Sequence, residues 1–439
     1  MFIKEVAASL YAWDLADEGI ETIADNLQEH SNVNCMYLVG VMHYEKRPLT
    51  SLFYTHNPKR KYYLPENSRV YYKMDLNSFK DTKLKPRFSE RDFLKDVDWL
   101  DVLTKEARKR GMRAGIELSH TIFDTNIALE EFPEMLQKDV NGNLISATQG
   151  MLCPNNPDVH EYQRAMFYDT VKNHDVDLVQ TCLLTFADGL DGQGEIKAPW
   201  FYDTWMDVNK PTVGDLLALA KGGCFCEHCQ AKAKKLGYDW EMIVRDIKKL
   251  NRVIYATPYR FQEELMENNL TLGSNVTDSM LLIEYPGLFE FLKFRIDSIT
   301  ELFRDIYQSI HEAKPSIDFR YNNHRRLPEY TGISFKHIAP YVDSVRDSDY
   351  SEQTGAKDRF VYKRNTLLKI RRGIGFDKDL IAAVATRPNA TPELIRESLK
   401  IMSELGIDGL SLGHYDGAHM EHLDAIAQGM REAGYILKK

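Results

Sequence analysis

Several features that would place this sequence in a class at once are missing from it. No stretch approaches the roughly 20 consecutive apolar residues that a membrane-spanning helix needs. The opening segment, MFIKEVAASLYAWD, has neither the long apolar run nor the small-residue cleavage site of a secretory signal. Basic residues do not predominate, since 56 Lys and Arg stand against 65 Asp and Glu, for a net charge of −9. We therefore expect a cytoplasmic protein without a nucleic-acid or membrane partner.

Internal repeats, low-complexity segments and Gly/Ser linkers are also missing. The composition, 43% hydrophobic and 28% charged, is that of a globular protein. A linker would mark the border of a second independent domain. We therefore expect residues 1–439 to form a single domain.

What the chain does contain is a regular alternation of short apolar strands and longer helical patterns. The predicted strands are 5–13, 33–44, 112–120, 176–189, 317–325, 341–350, 379–387 and 408–417. Predicted helices include 89–111, with Ser89 as N-cap, and 159–174, 357–373, 391–405 and 420–433. Eight strand–helix units predict an α/β fold, a (β/α)8 TIM barrel. The alternative, a doubly wound open sheet, calls for a glycine-rich turn after the first strand, and YAWDLADEG supplies none.

One long interruption, residues 190–316, separates the fourth and fifth predicted strands. It has helical patterns and contains the segment GGCFCEHCQ, in which Cys224, Cys226 and Cys229 lie close together. We therefore expect a helical insertion that carries a cysteine cluster. Six cysteines, three of them clustered, favour a metal site in a reducing compartment over a disulfide framework.

Polar residues concentrate where the predicted strands end. Chemistry in such barrels lies at the C-terminal ends of the strands, and polar groups there cost stability unless they are used. The predicted substrate-binding residues are Tyr11, Trp13, Asp14, His43, Glu117, His120, Arg320, Asn322, Asn323, His324, Arg346, Tyr350, Glu352, Arg387, His414 and Tyr415.

Carboxylates from opposite sides of the mouth suggest the reaction. Asp188 ends the fourth predicted strand, and Asp347 and Asp349 lie two residues apart on the sixth, on the same face by strand alternation. Two carboxylates that face each other across a pocket are what cleavage of a glycosidic bond requires. We therefore expect these three residues to be catalytic.

The passages CPNNPDVHEYQRAMFYDTVKNHDVDLVQ (153–180), FADG (186–189) and CFCEHC (224–229) carry a family resemblance. The chain resembles TIM-barrel glycoside hydrolases, in particular the hypothetical glycosyl hydrolase families that neighbour the α-L-fucosidases and α-galactosidases. The resemblance implies that Asp188 is the nucleophile and that Asp349 or Asp347 is the acid/base. The sequence departs from the large β-glycosidase clan, because the fourth strand lacks an Asn-Glu pair and Arg387 stands where that clan has its nucleophile.

The implied substrate is a small saccharide, and no organic cofactor is expected. Arginines near the strand ends, namely Arg320, Arg325, Arg346 and Arg387, suit a uronic acid or another anionic sugar, because guanidinium groups recognise carboxylates. These arginines would instead pair with Asp347, Asp349 and Glu352 if the sugar is neutral. A homo-oligomer is left open.

The cysteine cluster offers three soft ligands, whereas structural zinc takes four in a tetrahedron. Cys182 is the first candidate for the fourth ligand, and Cys153 or His228 comes next. The segment CFCEHC resembles the zinc-binding cluster of certain β-galactosidases that share this barrel. We expect the zinc to be structural, because a site made only of cysteines leaves no position for a reacting water.

Two other functions compete with the hydrolase. The first is a metal-dependent sugar isomerase, aldolase or amidohydrolase with Glu117, His120, His324 and His414 as ligands of a divalent ion. The second is a barrel that binds carbohydrate without catalysis. A chelator that stops turnover at once, without unfolding the protein, would favour the first of these.

Overall fold

The computed structural model describes residues 1–42, 49–50, 55, 57–119, 122–145, 150–182, 184–186, 223–256, 278–324, 328–355, 357, 360–387 and 389–438. Within these ranges no helix combines the length and the apolar character that crossing a membrane requires. The predicted domain limits, 1–439 with an insertion at 190–316, remain predictions, because much of that interval lies outside the described residues.

Eight parallel strands close into a barrel. They are β1 (Glu5–Leu10), β2 (Cys35–Val39), β3 (Arg113–Ser119), β4 (Leu178–Cys182), β5 (Asp318–Asn323), β6 (Ser344–Asp347), β7 (Asp379–Val384) and β8 (Gly409–His414). Each strand pairs with its neighbours in chain order, and β8 pairs with β1. The predicted (β/α)8 barrel is therefore confirmed, and the open sheet is excluded.

Helices cover the outside of this barrel. Those in the described residues are α1 (Ala12–Asp17), α2 (Ile20–Ser31), α3 (Trp99–Lys109), α4 (Thr125–Glu131), α5 (Pro157–Asn173), α6 (Glu227–Lys235), α7 (Trp240–Ala256), α8 (Asp278–Glu284), α9 (Pro286–Ala313), α10 (Phe335–Ile338), α11 (Phe360–Ile374), α12 (Pro392–Ser403) and α13 (Met420–Glu432). Two-residue ladders join Phe2–Ile3 to Ile436–Leu437, Val41–Met42 to Arg69–Val70, Leu49–Thr50 to Tyr62–Tyr63, and Ile122–Phe123 to Gly150–Met151.

Several predicted boundaries differ from the observed ones, and two of the differences change the role of a named residue. The helix α3 begins ten residues after Ser89, and its N-cap is Asp98, whose side chain accepts a hydrogen bond from the Asp101 amide. Ser89 instead donates its hydroxyl to the Glu66 carboxylate. The strand β1 ends at Leu10, so Trp13 lies in the helix α1 and not at the tip of a strand.

The barrel interior has an apolar waist between two polar ends. Alternate residues of a strand face opposite sides, and Ala7, Cys35, Tyr37 and Leu178 form a buried cluster separate from the main core. The packing there is tight, since a Cβ on Gly115 would lie 2.9 Å from the Leu178 Cβ. This waist separates the N-terminal end of the barrel from its C-terminal mouth.

Ion pairs fill the N-terminal end. Glu5 is the first residue of β1, and its Oε1 accepts a hydrogen bond of 2.7 Å from the Arg320 Nη1. Arg320 also donates to Asp318, and Arg113 donates to Glu5. Arg320 was expected at the mouth, but it is only the third residue of β5 and is fully buried at the opposite end. Its prediction as a substrate-binding residue is therefore wrong.

We expect Glu5→Gln to lower the free energy of unfolding by about 3–5 kcal/mol, because it leaves a buried guanidinium without its closest counter-charge. Urea denaturation followed by circular dichroism measures this change. Glu21→Gln is the matched control, since Glu21 forms an exposed ion pair with Lys109 and should alter stability little. Equal stabilities of the two variants would contradict the assignment of Glu5 as the counter-charge.

Candidate active site at the C-terminal end of the barrel

A hydrogen-bonded group of inward-facing side chains lies above the apolar waist. We call it the floor network, and its members are Glu117, Gln180, Asn322, Arg346 and Ser411, from β3, β4, β5, β6 and β8. Glu117 is 9% exposed, and the other members are 2% exposed or less. A ligand that enters from the C-terminal mouth would therefore meet Glu117 first.

Glu117 and Arg346 hold the network together through Asn322. The Asn322 Nδ2 donates to the Glu117 Oε2 at 3.2 Å, and the Asn322 Oδ1 accepts from the Arg346 Nη1 at 2.8 Å. The Gln180 Nε2 donates to the same Glu117 oxygen. Burial raises the pKa of the Glu117 carboxyl, while the Arg346 charge and the two amide donors act against that rise.

Two further donors of Arg346 also go to neutral oxygens. Its Nε donates to the Ser411 Oγ at 2.8 Å, and its Nη2 donates to the Tyr350 hydroxyl at 2.6 Å. The predicted site residues Glu117, Asn322, Arg346 and Tyr350 thus come together. Sequence analysis missed Gln180 and Ser411, because they lie inside their strands. Their signal was a polar residue at an inward position within the apolar runs LVQTC and GLSLGH.

An aromatic stack borders the mouth between β8 and β1. The Tyr11 ring stacks on His414, with ring centroids 4.7 Å apart, and on Trp13 at 4.3 Å. The His414 Nδ1 lies 2.9 Å from the Ser9 Oγ, which fixes the imidazole. Trp13 is fully buried, whereas Tyr11 and His414 are half-buried. The exposed part of this stack is a surface on which a sugar face can pack.

Asp14 and Tyr415, two further predicted site residues, are hydrogen-bonded within the protein. The Asp14 Oδ2 accepts from the Tyr11 backbone amide at 2.8 Å, and the Tyr415 hydroxyl donates to the Glu18 Oε1 at 2.9 Å. Burial, and next the charge of Asp416, raises the pKa of Asp14 well above its ordinary value. Both side chains are buried, and the hydrogen bond from the Tyr11 amide to Asp14 helps to position Tyr11.

The sixth strand presents Arg346 to the interior, so the next residue, Asp347, faces outward by strand alternation. The Asn323 Nδ2 donates to the Asp347 Oδ1 at 3.0 Å, and both side chains are buried. Asp349 follows the strand end, and its Oδ1 accepts from the Ser351 amide at 2.9 Å. The structure therefore places Asp347 and Asn323 behind the barrel wall, whereas the sequence predicted that they lie in the mouth.

Glu352 and Arg387 complete the predictions on this side. Glu352 is fully buried, where it pairs with Lys363 and accepts from the Ala385 amide at 3.2 Å. It ties the loop after β6 to β7, in contrast to the predicted contact with substrate. Arg387 is half-buried three residues beyond β7. Four other predicted residues, His43, His120, Asp188 and Arg325, lie outside the described residues.

A pair at the tips of β4 and β5 corrects the predicted metal ligand. The Cys182 Sγ lies 3.3 Å from the His324 Nε2, and alternation from Gln180 turns Cys182 to the barrel interior. The cysteine that joins Cys224, Cys226 and Cys229 is Cys153, which precedes α5. Cys182 as the fourth ligand was therefore wrong, and Cys153, our second candidate, takes its place.

The four cysteines have the geometry of a metal site. Their sulfurs all lie within 4.8 Å of one another and are buried, and Cys153 lies 3.5 Å from both Cys226 and Cys229. Four sulfurs at about 2.3 Å from one tetrahedral zinc are about 3.8 Å apart. The Asn155 Nδ2 donates to the Cys229 Sγ at 3.3 Å, the kind of outer contact that orients a metal ligand.

In the described part of the chain, no other group of three or more potential ligands gathers in this way. Glu117 is bound to amides, His324 to Cys182, and His414 to Ser9. The proposed divalent-ion site of a sugar isomerase, aldolase or amidohydrolase is therefore not assembled by these residues. Its fourth member, His120, is outside the described ranges.

No protein-family model and no curated protein matches the chain. Its fold is similar to the PgaB (BpsB) glycoside hydrolase domain from Bordetella bronchiseptica (TM-score 0.58, 12% identity, covering 99% of this chain and 100% of that one). It is also similar to a β-galactosidase from Bacillus circulans sp. alkalophilus (TM-score 0.56, 14% identity, covering 99% of this chain and 56% of that one). A further similar structure is α-L-fucosidase isoenzyme 2 from Paenibacillus thiaminolyticus (TM-score 0.52, 11% identity, covering 99% of this chain and 49% of that one). The chain thus spans about half the length of the last two proteins. These neighbours are glycoside hydrolases, and the similarity shows that the chain shares their barrel fold.

Proposed function

We propose that the protein is a glycoside hydrolase that cleaves a small saccharide at the C-terminal mouth of the barrel. The observation that carries this proposal is the floor network, a buried polar group at the end of the barrel where enzymes of this fold have their chemistry. The similarity of the whole chain to the barrels of glycoside hydrolases supports it. The half-buried Tyr11 and His414 rings offer a stacking surface for the sugar.

For the catalytic residues we propose Asp188 as nucleophile or stabiliser of the sugar cation and Asp349 as acid/base. Asp349 follows the end of β6, at the mouth, and Asp188 comes six residues after the end of β4 in the sequence, outside the described residues. Asp347 is the weaker candidate, because it is buried behind the barrel wall.

The arginines favour a neutral over an anionic sugar. Arg320 lies at the opposite end of the barrel, and Arg346 donates to protein oxygens. A uronic acid would therefore depend on Arg387 and on Arg325, which lies outside the described residues. We propose a neutral saccharide and keep uronides as comparison substrates. A barrel that binds sugar without cleaving it remains the alternative, and the same assays separate the two.

We propose that the four cysteines hold a structural zinc ion. The ion would fasten the segment before α5 to the start of α6, two segments that are far apart in the sequence. It would supply no chemistry at the mouth, since Cys153, Cys224, Cys226 and Cys229 would occupy all four of its positions.

Asp188→Asn and Asp349→Asn should each lower kcat/KM by about 10²-fold or more without unfolding the protein, because each removes a carboxylate that acts in bond cleavage. A screen of aryl glycosides and uronides identifies the substrate before the variants are compared. Asp424→Asn, on the exposed surface of α13, is the matched control. Wild-type activity in both variants would refute the catalytic assignment.

Asp347 should make the protein less stable as the pH rises from about 4 to about 7. Burial, and next the charge of Asp349, raises the pKa of Asp347 from 3.8 to about 7. The folded state thus keeps a proton that the unfolded state has lost, and stability falls with rising pH in that window. Asp347→Asn should remove this part of the pH dependence, as measured by urea denaturation at pH 5 and pH 8. An unchanged difference between the two pH values would contradict the raised pKa.

Cys226→Ser should lose the bound zinc and lower the Tm by about 5 °C or more, because the ion holds the two segments together only with all four ligands. Metal analysis of the purified protein and a thermal scan measure both effects. Cys182→Ser should keep one zinc per chain, since Cys182 contacts His324 instead. Loss of zinc from Cys182→Ser would overturn the ligand set.

A further inference from the structure

Two acceptor atoms of the floor network, the Oε1 of Gln180 and the Oε1 of Glu117, receive no hydrogen bond from the described residues. Asn322 donates to Glu117 and accepts from Arg346, so its amide links the two charged groups. The Arg346 donors go to Asn322, Ser348, Ser411 and Tyr350. A ligand that binds to the two open acceptors would have to bring donors of its own.

Gln180 shows the surplus most clearly. Its Nε2 donates to Glu117, while its Oε1 is buried and has no hydrogen-bond partner among the described residues. The amide cannot be turned to relieve this, because the Oε1 would then face the Glu117 carboxylate, and both groups are acceptors. A buried acceptor without a partner costs stability unless a ligand or water supplies a donor.

Glu117 provides the second acceptor. Both hydrogen bonds that it receives from described residues end on Oε2, and none ends on Oε1. Glu117 and Gln180 are register partners on β3 and β4, so the two acceptors lie side by side at one level of the barrel. The carboxylate also repels an anionic group that approaches this part of the floor.

We propose that Glu117 and Gln180 form a subsite that binds two neighbouring hydroxyl groups of the sugar, so that the substrate presents a free diol and no carboxylate to the floor. The inference rests on the proposed glycosidase function and deepens it by naming the sugar class. It differs from the anionic sugar that the arginines suggested. Glu117 acts here in binding and specificity, while bond cleavage is assigned to other residues.

The test is calorimetric binding of galactose, glucose, L-fucose, galacturonate and glucuronate to the wild-type protein, followed by monodeoxy forms of the sugar that binds best. A neutral sugar should bind more tightly than its uronate, and one monodeoxy form should bind roughly 10- to 100-fold more weakly, as expected for a lost hydrogen bond to a charged group. Glu117→Gln should weaken the binding of the parent sugar by a similar factor. This variant should also bind the parent sugar and that deoxy form with equal affinity. This loss of discrimination is a coupling that a purely structural role would not produce.

Two further variants keep the result interpretable. Gln180→Met should also lose part of the discrimination, and Glu5→Gln, a buried carboxylate at the other end of the barrel, should keep it. Wild-type affinity in both Glu117→Gln and Gln180→Met would overturn the subsite, as would tighter binding of a uronate than of the neutral sugar. Failure of the hydrolase proposal looks different, since the sugars would then bind as expected while no glycoside is cleaved. A panel in which nothing binds would overturn both.

Discussion

The structure depends on how a closed barrel accommodates charge inside its wall. A charged side chain there is cut off from water, so it needs a partner of opposite charge or several hydrogen bonds. At the N-terminal end Glu5 and Asp318 meet Arg113 and Arg320 in direct ion pairs. At the mouth, Glu117 and Arg346 are joined only through Asn322. The two ends therefore solve the same problem in different ways.

This difference assigns a role to each end. Direct ion pairs at the N-terminal end use the charges up and leave them nothing to offer a ligand, which suits a part that only holds the strands together. At the mouth an amide separates the charges, and the acceptors of Glu117 and Gln180 keep capacity for a donor. The apolar waist, with Tyr37 and Leu178, keeps the two ends apart. A stabilising end and a binding end are the division of roles expected in such barrels.

The fold could be predicted from the sequence because its signals are long and repeated. Eight apolar runs separated by helical patterns leave few architectures, and each observed strand lies within its predicted segment. The predicted ends of the strands were less accurate where polar and apolar residues mix. The first strand was predicted to continue through Trp13, for example, although the buried Trp13 packs from the helix α1.

The site was harder to predict because strands that are buried on both faces do not show which face is inward. In β6 the polar residues Arg346 and Asp347 are adjacent, and only the contact of Arg346 with Ser411 across the barrel shows that Arg346 points inward. The same ambiguity misplaced Cys182, which is nearer to Cys224 in sequence than Cys153 is. Because Cys182 points into the barrel beside His324 while Cys153 precedes an outer helix, orientation decides the ligand and sequence distance does not. Residues that lie inside strands can therefore be assigned to a site only when their cross-barrel partners are known.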